Sequence, residues 1–411
     1  MAGKYKNKIL IIIGGGLEQK KAYQIAKKNG AVIISTDINP QCPCATYADH
    51  FIKASTRDYK QTVSKLKQFF LTSKLKPDGV MTIANDVPLT VAHVAKFFGL
   101  PGISIEAAKI LQRKDLMKEL FAENNINTSK WIVTDVASEI KNFMLDKKKI
   151  VIKPLDGRGA LGVYLLTNED QIDSLLSKSL AISKENKVIV EEFTEGIQLS
   201  SESMILNGKV FTPTIAHRNY SRIKEFLPHI IEDGGDIPAP LNNQILSIID
   251  EIILNISRSL DINNGIIKGD LILANTGEVF VVEVAGRLSG GLFASHQIPL
   301  TTGVDLVEAE INRSIGIEIS PSELIPKFNK SSCIRYIFPQ RGTIKDIKGL
   351  SKIYKIENVE HFEMFKNIND VCYKTKKHGD RLGYVLAVAN NNRIAKESCL
   401  KALSEIEVIY G

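Results

Sequence analysis

The chain opens on an unbroken apolar run at residues 8–13 (KILIII), the pattern of a strand buried on both faces. Gly14-Gly15-Gly16 follows, then helical spacing over 18–28 and a second apolar run over 31–36 that ends at Asp37. This is a βαβ unit with a Gly-rich first turn, lacking the GxGxxG fingerprint of a dinucleotide site. Residues 80–83 predict another strand, with Asn85-Asp86 at its carboxyl end, a place for either substrate or a tight turn. One helix is expected over 105–124, capped by Ser104 and carrying Arg113-Lys114. Strands are expected at 150–152, 187–192 and 204–213, an amphipathic helix at 242–261 and a further helix at 304–314. Residues 217–236 break the pattern as a long, polar, irregular stretch, either a functional loop or a surface excursion. From about Lys327 short strands (335–338, 342–344, 384–388) and a helix (393–406) suggest a small α+β end domain.

Two stretches carry chemistry. Residues 267–291 (IKGDLILANTGEVFVVEVAGRLSGG) read as a hairpin around Asn275-Thr276-Gly277. With a two-residue turn at Thr276-Gly277, Ile272 faces Val281 and Asp270 faces Glu283. The two carboxylates then lie about 5 Å apart at Cβ and need a cation between them. Mg2+, which takes one or two carboxylates and completes its shell with water and phosphate, suits the pair, although solvated acids would fit the same pattern. Lys268 shares the face of Asp270, which makes it a candidate contact to a substrate acyl group. Arg287 and the bare backbone of Gly290-Gly291 follow, suited to a phosphate or carboxylate. In residues 149–163 (KIVIKPLDGRGALGV) a strand delivers Lys153 ahead of Asp156-Gly157-Arg158-Gly159-Ala160-Leu161-Gly162. The glycines let N–H groups close over an anion, or simply make a hairpin tip; this is not a GxxxxGK[ST] loop.

Size and composition narrow the class. The 411 residues allow two or three domains, and 44% hydrophobic with 24% charged residues is ordinary for a soluble protein. A net charge of +7 spread along the chain fits small polyanions such as nucleotides but not nucleic acid, which needs a concentrated patch. Five scattered cysteines without a CxxC pair suggest reduced thiols and a cytoplasmic setting. No apolar run is long enough for a membrane span.

In this order the motifs resemble the ATP-grasp superfamily of ligases: the Gly-rich βαβ unit, Lys114, Lys153 with its loop, Glu191-Glu192-Phe193, then Asp270, Glu283 and Arg287. RLSGG after the second acid, the thirteen-residue spacing from Asp270 to Glu283 and a GYVLA-containing end domain look closest to the L-amino-acid (dipeptide) ligase, carbamoyl-phosphate-synthase-large-chain-like branch. The resemblance implies an α/β, ATP-grasp fold with a Rossmann-like domain at 1–104, an ATP-grasp domain at 105–325 with a mobile lid at about 125–192, and an α+β domain at 326–411. It implies that Lys114 and Lys153 touch ATP phosphates and that Asp156, Gly157, Arg158, Gly159 and Gly162 close over them. Glu191, Glu192, Phe193 and Thr194 would meet adenine, Gln198 the ribose, and Asp270 with Glu283 would bind Mg2+, or Mn2+ in its place. Arg287 would stabilise the transferring phosphoryl group. Substrate contacts are expected from His217, Arg218, Arg222, Ser289, Gly290 and Gly291. The chemistry implied is amide formation between a carboxylate and an amine through an acyl phosphate, in a homodimer. A bicarbonate-dependent carboxylase and a nucleotide sensor without turnover are the alternatives. The chain departs from the family pattern in carrying Gln198 where a ribose-binding Glu is usual, and Ala285 where an Asn often supplies a third metal oxygen.

Overall fold

The computed structural model describes residues 3–157 and 159–411, so Arg158 lies outside the described residues. The N-terminal unit is a four-stranded parallel sheet in the order His50–Lys53, Val32–Asp37, Ile9–Ile13, Gly79–Met81. Every residue of Ile9–Ile13 is buried, as a strand with helices on both faces requires. The helix Leu306–Ser314 returns to complete this unit, with Tyr5 donating to Asn312 Oδ1 at 2.8 Å. It packs so closely that a Cβ on Gly79 would lie 2.2 Å from Ser314 O.

The single helix expected over 105–124 is two, Ile105–Gln112 and Lys114–Glu123, separated by an extended Arg113 (φ −114°, ψ 117°). Neither Pro nor Gly marks the break; the Arg113 guanidinium is engaged by Asp115 instead, with Nε 2.9 Å from Oδ1. Ser104 caps the first helix through Ala107 N–H.

Residues 131–192 form a four-stranded antiparallel layer in the order Trp131–Thr134, Val188–Glu192, Ile150–Pro154, Tyr164–Leu166, backed by helices Ala137–Met144 and Ile172–Leu180. This layer occupies the span of the expected lid, and lid is used below as its label. Its outer strand is tied to residues 228–229, where Leu165 N–H donates to Pro228 O at 2.8 Å and Tyr164 bridges His229.

The largest sheet runs Val279–Ala285, Asn264–Ala274, Gly196–Leu206, Ile215–Asn219, Gly234–Ile237, Ser331–Ile337, Gly383–Ala389, Val359–Met364. Asp236 pairs with Cys333 across it, so the division expected at 325/326 does not coincide with an edge of this sheet. The segment expected to be irregular, 217–236, supplies parts of two of its strands. No helix among the described residues is long and apolar enough to cross a membrane. All five cysteines are free and buried.

Candidate active site

A cavity of about 720 Å3 lies between the lid and the large sheet. The hairpin at its floor reaches the expected pairing by a different route. Ala274 N–H donates to Glu278 O at 2.8 Å, so the turn holds three residues and ends on Gly277 at φ 88°. Ile272 therefore pairs with Phe280, not Val281. A bulge at the next step returns the register, and Asp270 pairs with Glu283 after all. Both acids line the cavity.

They differ in surroundings. Asp270 is held by Lys268, two residues back on the same face, and by Arg218 Nη1 at 2.9 Å. Burial alone would raise its pKa, but Lys268 and then Arg218 outweigh it and hold the carboxyl below its usual range. The Glu283 side chain is 42% exposed, and its nearest cation is Lys114 at 3.7 Å. This is a hard-oxygen donor set with spare lone pairs on Glu283 and no soft ligand, which fits Mg2+ or Mn2+. Among the described residues there is no cluster of three or more His, Cys, Asp or Glu able to hold a metal, so water or phosphate oxygens must supply the rest of the shell. Ala285, opposite Lys268, adds a methyl group to the wall and no oxygen.

At the lid end, Glu191 is buried between two lysines, Lys153 at 2.7 Å and Lys118 at 3.0 Å. Burial opposes its charge, yet Lys118 and Lys153 bring its pKa down to about 2. Lys118 was not anticipated. Its spacing of four from Lys114 puts both on one helix face, the available signal, but a helix-surface lysine is ordinarily solvated. Lys114 donates to Gly157 O at 2.9 Å and fastens the Gly-rich loop to the helix. Gly157 and Gly159 line the cavity; Asp156 and Gly162 do not. Asp156 accepts from Ser183 Oγ at 3.0 Å, and Gly162 O from Ser179 Oγ at 3.1 Å, so both brace the loop from behind. Glu192, Phe193, Thr194 and Gln198 continue this wall.

Arg287 lies across the cavity, held by Asp86, whose Oδ1 accepts from Nε at 2.7 Å. A bridge between Ile83 and Leu288 joins the two segments and makes this contact. Burial disfavours the Arg287 charge, but Asp86 holds its pKa above the ordinary value. Ser289, Gly290 and Gly291 line the same region. Behind them the unanticipated Glu202 is buried, accepts Ser289 N–H at 3.0 Å, and is pushed up to about 7 by burial.

The strand Ile215–Asn219 and the turn after it correct two of the expected substrate contacts. Ala216, Arg218 and Tyr220 line the cavity, as alternation requires, while His217 faces away, paired across the sheet with Asp236. Arg222 is also outside the lining: it forks onto Glu225 and lies 5.0 Å from the centre of the Phe338 ring. Three further wall residues went unforeseen. Glu232 binds Arg218 and, at 3.4 Å, Arg381, and these with His378 hold its pKa at about 2 against burial. Neither Glu232 nor the distant Arg381 and His378 stands in any readable spacing.

Comparison with known proteins finds matches along most of the chain. Residues 116–276 match the family described as prokaryotic glutathione synthetase, ATP-grasp domain, and residues 335–411 match L-amino acid ligase C-terminal domain 2. An L-arginine-specific L-amino acid ligase of Bacillus subtilis is 21% identical over 381 residues, covering 89% of this chain and 88% of the relative. An uncharacterized protein of Sinorhizobium fredii is 23% identical over 335 residues, covering 80% and 67%. In fold, the crystal structure of L-amino acid ligase from Bacillus licheniformis superposes with a TM-score of 0.82 at 19% identity over 99% of each chain. Phosphoribosylglycinamide synthetase from Anaerococcus prevotii superposes at 0.76 with 22% identity, over 98% of this chain and all of that one. With these matches falling on both the lid-bearing segment and the C-terminal strands, the chain belongs to the ATP-grasp superfamily of ligases.

Proposed function

We propose that this protein is an ATP-dependent carboxylate–amine ligase that makes an amide bond through an acyl phosphate, with amino acids as substrates. The observation that carries the reading is the Asp270–Glu283 pair on one wall, flanked by Lys114 from its helix and Lys153 from the lid and faced by Arg287. This is an arrangement for a polyphosphate whose terminal group must transfer. A substrate carboxylate oxygen attacks the γ-phosphorus, the bond to the β-bridging oxygen breaks, and ADP leaves. The amine then attacks the acyl carbon, phosphate departs, and the nitrogen gives up a proton, leaving an amide.

Within that sequence Lys153 and Lys114 bind phosphate oxygens, and Arg287, its fork oriented by Asp86, offsets charge growing on the transferring phosphoryl group. Lys268 orients the acyl oxygen. Asp270 and Glu283 would hold the divalent ion, which when bound neutralises phosphate charge. Gly157 and Gly159 let the loop close over the nucleotide and keep water from the acyl phosphate. Glu191 to Thr194 and Gln198 are assigned to the nucleoside. The buried free thiols fit a reducing, cytoplasmic setting.

The test is a phosphate-release screen over amino-acid pairs with mass spectrometry of the products. An amide product together with ADP is expected. ADP release stimulated by bicarbonate and indifferent to amino acids would overturn the reading in favour of a carboxylase.

A further inference from the structure

Opposite the lid lysines, the cavity wall is assembled from segments far apart in sequence. Glu18 comes from the Gly-rich turn of the N-terminal unit, and Gly290-Gly291 from the loop after the hairpin. Tyr336 and Arg381 come from the C-terminal segment, and all of these residues line the cavity. Glu18 accepts Gly291 N–H through Oε2 at 2.7 Å, and a Cβ on Gly290 would stand 2.9 Å from that same oxygen. A side chain at position 290 would crowd this carboxylate and Ala84. The side chain remains open to the cavity, and crowding by protein raises its pKa, opposed by Gly291 N–H and by Arg381. A cation arriving from the cavity would relieve that cost.

Arg381 lies flat on Tyr336, its guanidinium carbon 3.5 Å from the ring centre, and is only 6% exposed. One amino group donates to Glu232 O at 2.8 Å. The Nε, however, is buried with no hydrogen-bond partner among the described residues, and so is Nε2 of His378. A buried guanidinium N–H without an acceptor is costly and rare. His378 is kept neutral, its pKa brought to about 3 by burial and then by Arg381, so it adds no competing charge.

We propose that Glu18 and Arg381 are the two end-group anchors of the substrate site, Glu18 taking the α-ammonium of the acyl donor and Arg381 the α-carboxylate of the amine acceptor. The inference rests on the ligase reading with amino acids on both sides of the new bond. The charges match the chemistry. Condensation consumes the donor's carboxylate and the acceptor's amine, leaving one ammonium and one carboxylate on the dipeptide. The wall offers one carboxylate and one guanidinium to receive them, with Arg381 fixed in plane by Tyr336 and by the Glu232 carbonyl.

The experiment compares blocked and free end groups. In Arg381→Met, KM for a free acceptor amino acid rises ~10–100-fold, the value of a charge-assisted hydrogen bond, while KM for its α-amide stays within about twofold. In Glu18→Gln the same split appears between an amino-acid donor and its des-amino analogue. ADP affinity measured by calorimetry stays at the wild-type level in both, which shows that the fold is kept. If free and blocked substrates shift equally in a variant that still binds ADP, the anchors are overturned and the ligase reading survives. Should a variant lose ADP binding, Arg381→Lys and Glu18→Asp are judged by the same split. If wild-type protein turns over ATP only with substrates that are not amino acids, the parent reading fails and the anchors fall with it.

Discussion

The two ends of the cavity use one device in different materials. At the lid end Glu191 sits between Lys118 and Lys153; at the other end Glu232 sits between Arg218 and Arg381. Each is a carboxylate flanked by two cations, each pKa is brought to about 2, and each would be untenable alone in a dry interior. The difference lies in what else the cations hold. Lys153 donates to Glu191, and among the described residues Lys118 has only Thr128 Oγ1 in addition, at 2.5 Å. Arg218 also binds Asp270, and Arg381 also binds the Glu232 carbonyl and covers Tyr336. The lid end is a closed triad. The far end is an open ladder from the C-terminal segment through Arg381, Glu232 and Arg218 to Asp270 and Lys268, and it suits a site where partners exchange during a reaction. Lysine, a compact charge on a flexible stem, serves the first; the five-donor fork of arginine is what permits the second.

The largest expected effect breaks the closed triad. Glu191→Gln leaves two buried ammonium groups facing an amide, and a loss of ~3–5 kcal/mol is expected in denaturant unfolding. A loss below about 1 kcal/mol would mean that water reaches the lysines. Next is Arg287→Met. Its guanidinium is oriented by Asp86 toward the shared space between the two ends, so kcat falls ~10²–10³-fold with stability nearly unchanged. Stopped-flow phosphate release separates this from a binding defect. A change confined to KM would return Arg287 to simple substrate binding. The open ladder predicts a smaller effect for Glu232→Gln than for Glu191→Gln, ~2–3 kcal/mol, because both arginines keep other acceptors. Equal losses would erase the distinction between the two ends.

How far each end could be read from the chain follows the same division. Much of the lid end comes from one antiparallel layer, where Lys153 and Glu191 stand on paired strands, with Lys118 added from the helix Lys114–Glu123, and a Lys before a Gly-rich loop is visible in one dimension. The far end is stitched from residues 18, 218, 232, 287 and 381, and no spacing encodes that meeting. His217 and Arg222 were expected at the cavity because 217–236 reads as irregular; once residues 215–219 form a strand, alternation admits Arg218 and excludes His217. The Asp270–Glu283 pairing was correct through two one-residue departures that cancel, a three-residue turn and a bulge, and pattern alone reveals neither. The N-terminal strands were plain because burial on both faces demands continuous apolar runs.

Glu202 supplies the smallest and most discriminating test, because it is the carboxylate that lacks such a pair of cations. It is fully buried, with Ser289 N–H on one oxygen and, among the described residues, no hydrogen-bond partner on the other. Burial raises its pKa from 4.5 to about 7, opposed by Ser289, Lys268 and Arg287. The sign is then opposite to that of Glu191 and Glu232. With a raised folded value the native state holds the extra proton between about 4.5 and 7, so its contribution is complete below 4.5 and is lost as pH rises through 7. The two paired acids contribute above 4.5, and their share is lost as pH falls toward 2. A shift of this size corresponds to at most ~3 kcal/mol, and the relaxation that sets an effective interior dielectric lowers it to about 1–2 kcal/mol. Glu202→Gln should therefore flatten the fall in unfolding free energy between pH 5 and pH 8 by about 1–2 kcal/mol. It should leave the acid limb, governed by Glu191 and Glu232, where it was. A variant whose acid limb moves instead would show that Glu202 is charged at neutral pH and balanced by Lys268 and Arg287, making it a third member of the paired class.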